Sequence, residues 1–287
     1  MRRAVIDIGT NTVKLLVADV QEGKVMPVVS KDQTTRLGEG VNKSKRLART
    51  AIARTIKAVD GFLNEARRLG VQDVLALTTS AARDAVNRDE FLDGVRCKCG
   101  LGVQVITGER EAEFIFWGVS SDPEWSSQPI LVLDVGGGSA EFIQGERGKI
   151  EQLQSLPLGA VRLTEQFGED FVALTSFLCD TLRKSLAGYD VRNRKLIGTG
   201  GTGTTVASIV CGMMDHSTIS RDDLRALVDR LRAMTLAERK KVTGLPPERA
   251  DIIVAGGAVF LVAMEVLEAT ELTVSVRNLR YGALLGA

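Results

Sequence analysis

A short pattern occurs twice in this chain, and the repetition constrains the fold more than any other feature. The first copy is Ala4-Val5-Ile6-Asp7-Ile8-Gly9-Thr10-Asn11-Thr12-Val13-Lys14-Leu15-Leu16-Val17. The second is Leu131-Val132-Leu133-Asp134-Val135-Gly136-Gly137-Gly138-Ser139-Ala140-Glu141-Phe142-Ile143. Asp7 aligns with Asp134, Gly9 with Gly136 and Thr12 with Ser139, so both copies read Asp-x-Gly-x-x-(Thr/Ser). Each then reaches a Gly-Lys turn, Gly23-Lys24 or Gly148-Lys149, followed by another apolar run. The apolar residues before each acid predict a buried strand, and the glycines predict a turn into a second strand. A repeat of this length predicts two related lobes, each opening with a β-hairpin whose turn faces the other lobe. Successive N–H groups in such a turn form a nest for phosphate. Asp134, at a strand end, offers oxygen to a hard cation.

Length and composition set the outer limits. At 287 residues the chain is long enough for two domains and a substantial core. A net charge of +1 gives no support for bulk binding to nucleic acid or membranes. No apolar run reaches transmembrane length and no secretory segment is visible, so a cytoplasmic protein is expected. Cys97, Cys99, Cys179 and Cys211 fit no zinc spacing and are expected to be reduced and mostly buried. The single histidine, His216, falls in a polar loop, which argues against multi-histidine metal sites and Ser-His-Asp catalysis. Acid–base chemistry therefore rests on carboxylates, with or without a metal.

Between the repeats, residues 44–69 predict an amphipathic helix ended by Gly70. Arg36, in the loop before it, reads either as a phosphate ligand or as a solvated arginine. A hydroxyl cluster, Thr78-Thr79-Ser80, predicts a helix start near Ser80 that places Arg83 in its first turn. Arg83 reads equally as an anion ligand and as a salt-bridge partner of Asp84 or Asp89. A helix is expected from Thr107 onward with Glu109, Glu111 and Glu113 at its start, where the helix dipole favours acids. Glu111 stands one turn before Ile115, on the buried side, which suits a general base acting on water. Residues 120–129, polar and carrying two prolines, read as the linker, giving lobes at 1–122 and 123–287.

In the second half, Gly198-Thr199-Gly200-Gly201-Thr202-Gly203 forms a third glycine-rich turn. It spells the dinucleotide fingerprint but lacks its βαβ setting, so a phosphate- or nucleotide-facing loop of another kind is expected. Residues 249–268 predict a long apolar helix in which Gly256-Gly257 marks close packing or a ligand on the backbone. A last strand over 272–275 and a last helix over 279–285 follow, with Asn278 read as suited to left-handed geometry.

Taken together these segments resemble the exopolyphosphatase/guanosine pentaphosphate phosphohydrolase family, within the actin-like ATPase superfamily. The resemblance is carried by DIGTNTVKLLV (7–17), TRLGEGV (35–41), TSAARDAVN (79–87), ITGEREAEFIFWGV (106–119), LDVGGGSAEF (133–142), GTGGTGTTVA (198–207), ADIIVAGGAV (250–259) and VSVRNLRYGALL (274–285). It implies an α/β fold of two duplicated actin-like (ribonuclease H-like) lobes with a ligand cleft between them, the last helix packing back on the first lobe. Glu111 then matches the catalytic glutamate, and Arg83 an arginine facing the cleft. Asp7, Gly9, Thr10, Asn11 and Thr12 match the first phosphate motif, with Lys14 and Arg36 as further candidates. Asp134, Gly136, Gly137, Gly138, Ser139 and Glu141 match the second, where Asp134 and Glu141 are the expected metal ligands and Gly200 and Gly201 lie nearby in role. The implied cofactor is Mg²⁺ or another divalent cation, the substrate polyphosphate or guanosine pentaphosphate, and the assembly a homodimer. Arg110 stands where an acid is common, and Asn278 where a glycine is common. The chain length resembles the short, two-domain members. A phosphotransferase of the same superfamily and a non-catalytic nucleotide- or polyphosphate-binding module are the competing expectations.

Overall fold

The first copy of the repeat is an antiparallel pair, β1 (Arg2–Ile8) and β2 (Thr12–Gln21), in the computed structural model, which describes residues 1–286. β3 (Lys24–Thr34) extends it into a meander. After a short helix α1 (Val41–Ser44) comes α2 (Arg49–Arg68), then β4 (Val74–Thr78), α3 (Ser80–Asp84), α4 (Arg88–Cys99), β5 (Val103–Val105) and α5 (Gly108–Ser120). The sheet order is β3-β2-β1-β4-β5, with β1, β4 and β5 parallel. β1 is buried on both faces. Ile6 and Ile8, with their partners Leu15 and Val13, join Ile52, Val59 and Phe62 of α2 in one core. Val5 and its partner Leu16 are buried on the opposite face.

α2 begins at Arg49, five residues later than its pattern predicts. Lys45 adopts a left-handed φ of 56°, and the Ser44 hydroxyl donates to the carbonyls of Gly40 and Arg46, which turns the chain there. Gly70, at φ 78°, follows its end.

The second copy forms β6 (Pro129–Val135) and β7 (Ala140–Glu146), continued by β8 (Lys149–Leu156). Then follow α6 (Ala160–Phe167), α7 (Phe171–Ser185), β9 (Lys195–Thr199), α8 (Gly200–Cys211), β10 (Thr218–Ser220), α9 (Arg221–Ala233), α10 (Leu236–Arg239), α11 (Ile253–Val266) and β11 (Glu271–Val274). The sheet order is β10-β11-β9-β6-β7-β8. With β10 set aside, this repeats the strand order and the parallel and antiparallel pairings of the first sheet. The shared order is that of the actin-like, ribonuclease H-like lobe.

α12 (Leu279–Gly286) packs on α5 and on β1, β2 and β3. Met1–Ser121 with the segment from Leu279 forms one compact unit, and Asp122–Asn278 forms the other. Among the described residues no helix is long and apolar enough to cross a membrane.

Four local expectations change. β10, only three residues long, lies in what reads as loop. The proline-bearing stretch after α5 is a packed turn: Trp125 is fully buried, with its ring centroid 4.8 Å from that of His216 and the two rings tilted at 40°. Cys99 is buried, but Cys97 and Cys211 are exposed, because α4 and the end of α8 turn them to solvent. α11 starts at Ile253, and a Cβ on its Gly256 would come within 2.6 Å of Thr202 Cγ2 and 3.2 Å of Ala160 Cβ. Close helix packing therefore accounts for the mid-helix glycine.

Candidate active site

In open α/β sheets, ligands bind beyond the carboxyl ends of the parallel strands. In the first unit those ends belong to β1, β4 and β5, and each leads into expected site residues. β1 runs into the turn Gly9-Thr10-Asn11, closed by a bond from Gly9 N to Thr12 O of 3.1 Å. β4 runs into α3, whose Ser80 Oγ meets Thr10 Oγ1 at 2.8 Å, both groups being buried. β5 leads through Ile106 and Thr107 into α5, where Thr107 caps the helix by accepting from Arg110 N.

The hydrogen bonding of the turn fixes the direction of its peptide groups. The carbonyl of Thr10 accepts from Gly38 N at 2.8 Å. That of Asn11 accepts from Thr35 N and Arg36 N at 3.0 and 2.9 Å. In a trans peptide the C=O and the following N–H point in opposite directions, and the described residues contain no cis bond. The N–H groups of Asn11 and Thr12 therefore point away from the 35–38 loop. Arg36 itself takes a left-handed φ of 50° and gives its backbone N–H to this turn.

The second unit repeats the device with different residues. Gly136 N donates to Ser139 O at 3.0 Å, the counterpart of the Gly9–Thr12 bond. The carbonyl of Gly136 accepts from Ala160 N at 2.9 Å. That of Gly137 accepts from Val161 N and Arg162 N at 2.9 and 3.2 Å. That of Gly138 accepts from Arg162 Nε at 2.9 Å. All three carbonyls thus face the start of α6, so the N–H groups of Gly137, Gly138 and Ser139 face the other way. Three successive N–H groups so directed form an anion-binding concavity. The loop before α6 packs so tightly here that a Cβ on Gly159 would overlap the backbone of Gly137 and Gly138.

Glu111 is buried in the first turn and a half of α5, with its side chain 11% exposed. Arg83 Nη1 lies 3.4 Å from Glu111 Oε2 and donates to the carbonyl of Ile106 at 3.0 Å. Of the two partnerships the sequence leaves open for Arg83, neither Asp84 nor Asp89 is the acid found; it is Glu111. Glu109, one position before Arg110, is held below the usual carboxylate range, first by its own backbone N–H and then by the Thr107 hydroxyl. It acts as a capping acid. Arg110 pairs with Glu113 at 2.7 Å and stacks over Phe114 and Trp117, with its guanidinium 4.1 and 5.2 Å from the ring centroids.

Asp7 and Lys14 are direct cross-strand partners, as are Lys14 and Asp32. Burial pushes the Asp7 carboxyl up, while Lys14 and then Arg280 pull it down. Arg280, on α12, escapes the sequence reading; the only signal is an arginine in an otherwise mostly apolar final helix.

Asp134 and Glu141 are cross-strand partners in the same position of the second repeat, and both are buried. Glu141 Oε1 accepts from Ser155 Oγ at 2.7 Å. Two acids directly opposite on one sheet face repel, and a divalent cation offsets that repulsion. Among the described residues no group of three or more His, Cys, Asp or Glu side chains gathers as a closed metal cage. A pair of carboxylates fits Mg²⁺, which commonly binds one or two and completes its shell with water and substrate phosphate. Gly200, at φ 80°, opens α8 and makes room for Asp134: a Cβ there would overlap Asp134 Oδ1. A Cβ on Gly201 would likewise overlap the Arg249 guanidinium. The space beside both glycines is thus taken by side chains of this chain. Asn278 is not left-handed, and its Nδ2 donates to the carbonyl of Val276 at 3.1 Å.

Residues 16–287 match the profile of the Ppx/GppA phosphatase family. Exopolyphosphatase 1 of Mycobacterium tuberculosis is 32% identical over 301 residues, covering 99% of this chain and 88% of that protein. A crystal structure of the Aquifex aeolicus member of the Ppx/GppA family superposes with a TM-score of 0.82 at 30% identity, covering 100% of this chain and 97% of that one. An exopolyphosphatase from Cytophaga hutchinsonii superposes with a TM-score of 0.90 at 29% identity, covering 99% and 96%. With this match over nearly its whole length, and the repeated phosphate-type turn in both units, the chain belongs to the Ppx/GppA phosphatase family.

Proposed function

We propose that this protein is an exopolyphosphatase: it hydrolyses the terminal phosphoanhydride of inorganic polyphosphate and releases phosphate. The observation that carries the reading is Glu111, a buried carboxylate at the carboxyl edge of the first sheet, in contact with Arg83. Glu111 orients the attacking water and takes its proton. The N–H groups of Asn11 and Thr12 in the first turn, and of Gly137, Gly138 and Ser139 in the second, bind phosphate oxygens. Lys14, Arg83 and Arg36 add positive charge, and Thr10 holds the first turn against Ser80. Such donors stabilise charge that develops on the transferring phosphoryl group. Asp134 and Glu141 would hold the divalent cation, Mg²⁺ in this proposal, whose chemistry when bound is to neutralise phosphate charge. The relatives named exopolyphosphatase support polyphosphate as the substrate. A cytoplasmic setting and a homodimer belong to the same proposal, on family resemblance alone.

The test is phosphate release with Mg²⁺ from polyphosphate of defined lengths, guanosine pentaphosphate and ATP, with Glu111→Gln as control. Release from polyphosphate that disappears in the variant supports the proposal. Preference for guanosine pentaphosphate moves the substrate and keeps the chemistry. A fully active Glu111→Gln protein removes the glutamate from its role.

A further inference from the structure

In both units a stretch of equal length links the third strand to a long helix: residues 35–49 run from the end of β3 to the start of α2, and residues 157–171 from the end of β8 to the start of α7. Each stretch contains one short helix, and each gives backbone N–H groups to the carbonyls of its own phosphate-type turn. Their charge is opposite. Residues 35–49 carry five cations, Arg36, Lys43, Lys45, Arg46 and Arg49, and one acid, Glu39. Residues 157–171 carry one cation, Arg162, and three acids, Glu165, Glu169 and Asp170. The shared architecture therefore does not require the cations of the first unit.

The cations also stand where they cost stability. α2 begins at Arg49 with no side-chain cap and no acid in its first turn. By contrast α4 and α5 open with two acids each, and α7 is capped by Asp170. A cation at a helix N-terminus opposes the helix dipole, and local rules are broken in this way chiefly at functional sites. Arg46 pairs with Glu90 at 3.2 Å. Lys43, Lys45 and Arg49 are exposed and, among the described residues, have no acid partner. The backbone that carries them is fixed at both ends. Gly38 N donates to the carbonyl of Thr10 in the first turn at 2.8 Å, and a Cβ on Gly38 would overlap the Thr10 methyl. Farther along, Val86 N donates to the carbonyl of Lys45 at 2.9 Å, and the Asn87 side chain exchanges bonds of 2.8 and 3.1 Å with the backbone of Leu47. Asn87 lies just beyond α3, the helix of Arg83. The three cations are thus pinned between the first turn and the Arg83 helix, at the carboxyl edge of the first sheet.

We infer that Lys43, Lys45 and Arg49 form a chain-holding subsite, which binds phosphate units of a polyphosphate substrate beyond those at the first turn. The subsite rests on the exopolyphosphatase reading for its consequence in turnover, and it makes the preferred substrate a long polymer rather than a nucleotide. Polyphosphate carries charge on every unit, and a polyanion that meets several cations gains affinity with each by releasing its counterions. A chain held both at the turn and at this segment leaves only when both release it. Two of the three cations are lysines, point charges on flexible stems without the fixed fork of a guanidinium. Such contacts let the chain shift by one unit after each phosphate is removed.

The experiment uses the full chain as wild type and as Glu111→Gln, each with and without the triple substitution Lys43→Gln, Lys45→Gln and Arg49→Gln. Calorimetry on the Glu111→Gln pair gives the affinity for long-chain polyphosphate, tripolyphosphate and single-stranded oligo(dT). Phosphate release by the wild-type pair gives KM and kcat. The triple substitution is expected to weaken long-chain polyphosphate about tenfold in Kd and in KM, a loss that shrinks as salt is raised. Tripolyphosphate affinity and kcat stay within about twofold of the parent. The conservative set Lys43→Arg, Lys45→Arg and Arg49→Lys restores long-chain affinity. Equal losses for long and short chains, or no loss for either, overturn the inference. So does oligo(dT) that binds the parent as tightly as long-chain polyphosphate and suffers the same loss, which makes the segment a nucleic-acid surface instead. Should the triple variant fail to fold, Lys43→Gln with Lys45→Gln decides: a loss of about fivefold confined to long chains supports the subsite, and its absence overturns it. A wild-type protein that releases no phosphate from any substrate defeats the exopolyphosphatase reading, and the calorimetric contrast between long and short chains then judges the segment by itself.

Discussion

One terminal nitrogen of Arg83 lies 3.0 Å from the carbonyl oxygen of Ile106 and 3.4 Å from Oε2 of Glu111, so the carboxylate and the segment after β5 share a donor. The shorter bond anchors the guanidinium, and the longer one leaves room to tighten when substrate arrives, as catalytic contacts commonly do. We expect Arg83→Met to lower kcat by about 10- to 100-fold, with thermal stability nearly unchanged because Arg83 is partly exposed. Arg83→Lys should recover part of the loss. Steady-state phosphate release and a thermal melt on each variant check this; a kcat within twofold of wild type in Arg83→Met would remove it from the machinery.

The opposed pair Asp134 and Glu141 makes a separate expectation about metal. Asp134→Asn keeps the shape that fits against Gly200 and removes one negative charge. Activity should then need roughly ten times more Mg²⁺ to saturate, or more, given the loss of half of a two-carboxylate set. Glu141→Gln should act in the same direction, and Ser155→Ala more weakly, since its hydroxyl only orients Glu141. Identical Mg²⁺ titrations for wild type and Asp134→Asn would place the cation elsewhere.

Two glycine-to-alanine changes should have opposite signs. Gly159→Ala forces a methyl into the backbone of Gly137 and Gly138, so about 1–3 kcal/mol of stability should be lost. The second phosphate turn would be displaced at the same time, weakening tripolyphosphate binding. Gly61 lies inside α2 with nothing within 4 Å of a Cβ built on it. Gly61→Ala should therefore stabilise the protein by up to about 1 kcal/mol. Chemical denaturation of the two proteins measures both effects.

His216 gives the protein a pH dependence of known sign. Burial lowers its imidazole, but the bond to Asp122 and the charges of Asp215, Asp122 and Glu124 outweigh that and raise it. Its contacts are 3.1 Å to Asp122 Oδ2 and 2.7 Å to Glu124 Oε2, and Arg277 Nε shares Asp122 at 3.2 Å. A histidine with a raised folded value stabilises fully below its ordinary value near 6.5 and loses that contribution as pH rises through the folded value. The melting temperature of wild type should thus fall relative to His216→Gln as pH goes from about 6 to about 9. A constant difference across that range would show that His216 does not titrate there.

Much of this molecule is legible because its signals are local. Asp-x-Gly-x-x-(Thr/Ser) fixes a turn through short-range sterics, and both copies form the same backbone bond, Gly9 to Thr12 and Gly136 to Ser139. Glu111 is legible because helix periodicity sets it with Ile115 on the buried side. What sequence does not carry is pairing over long separation. Arg280 meets Leu15 and Ser30 across more than two hundred residues. His216 meets Asp122 across ninety-four. β10 is too short for any periodicity and exists because Thr218 and Ile219 pair with Thr273 and Leu272. Gly200 and Gly201 read as ligand-facing, and the space beside them is filled by Asp134 and Arg249, which no spacing rule supplies.

α12 closes the first unit from the far end of the described chain, and a Cβ on its Gly282 would overlap the carbonyl of Phe114 in α5. This has a consequence for the order of events at the ribosome. Residues 1–121 emerge first, yet the face of their sheet bearing Val5 and Leu16 lacks its cover until residues 279–286 follow. The stretch 122–278 is contiguous and has all its strands once Val274 has emerged. The half made first is therefore finished last, and until then the nascent chain carries an incompletely covered sheet through the whole synthesis of its neighbour.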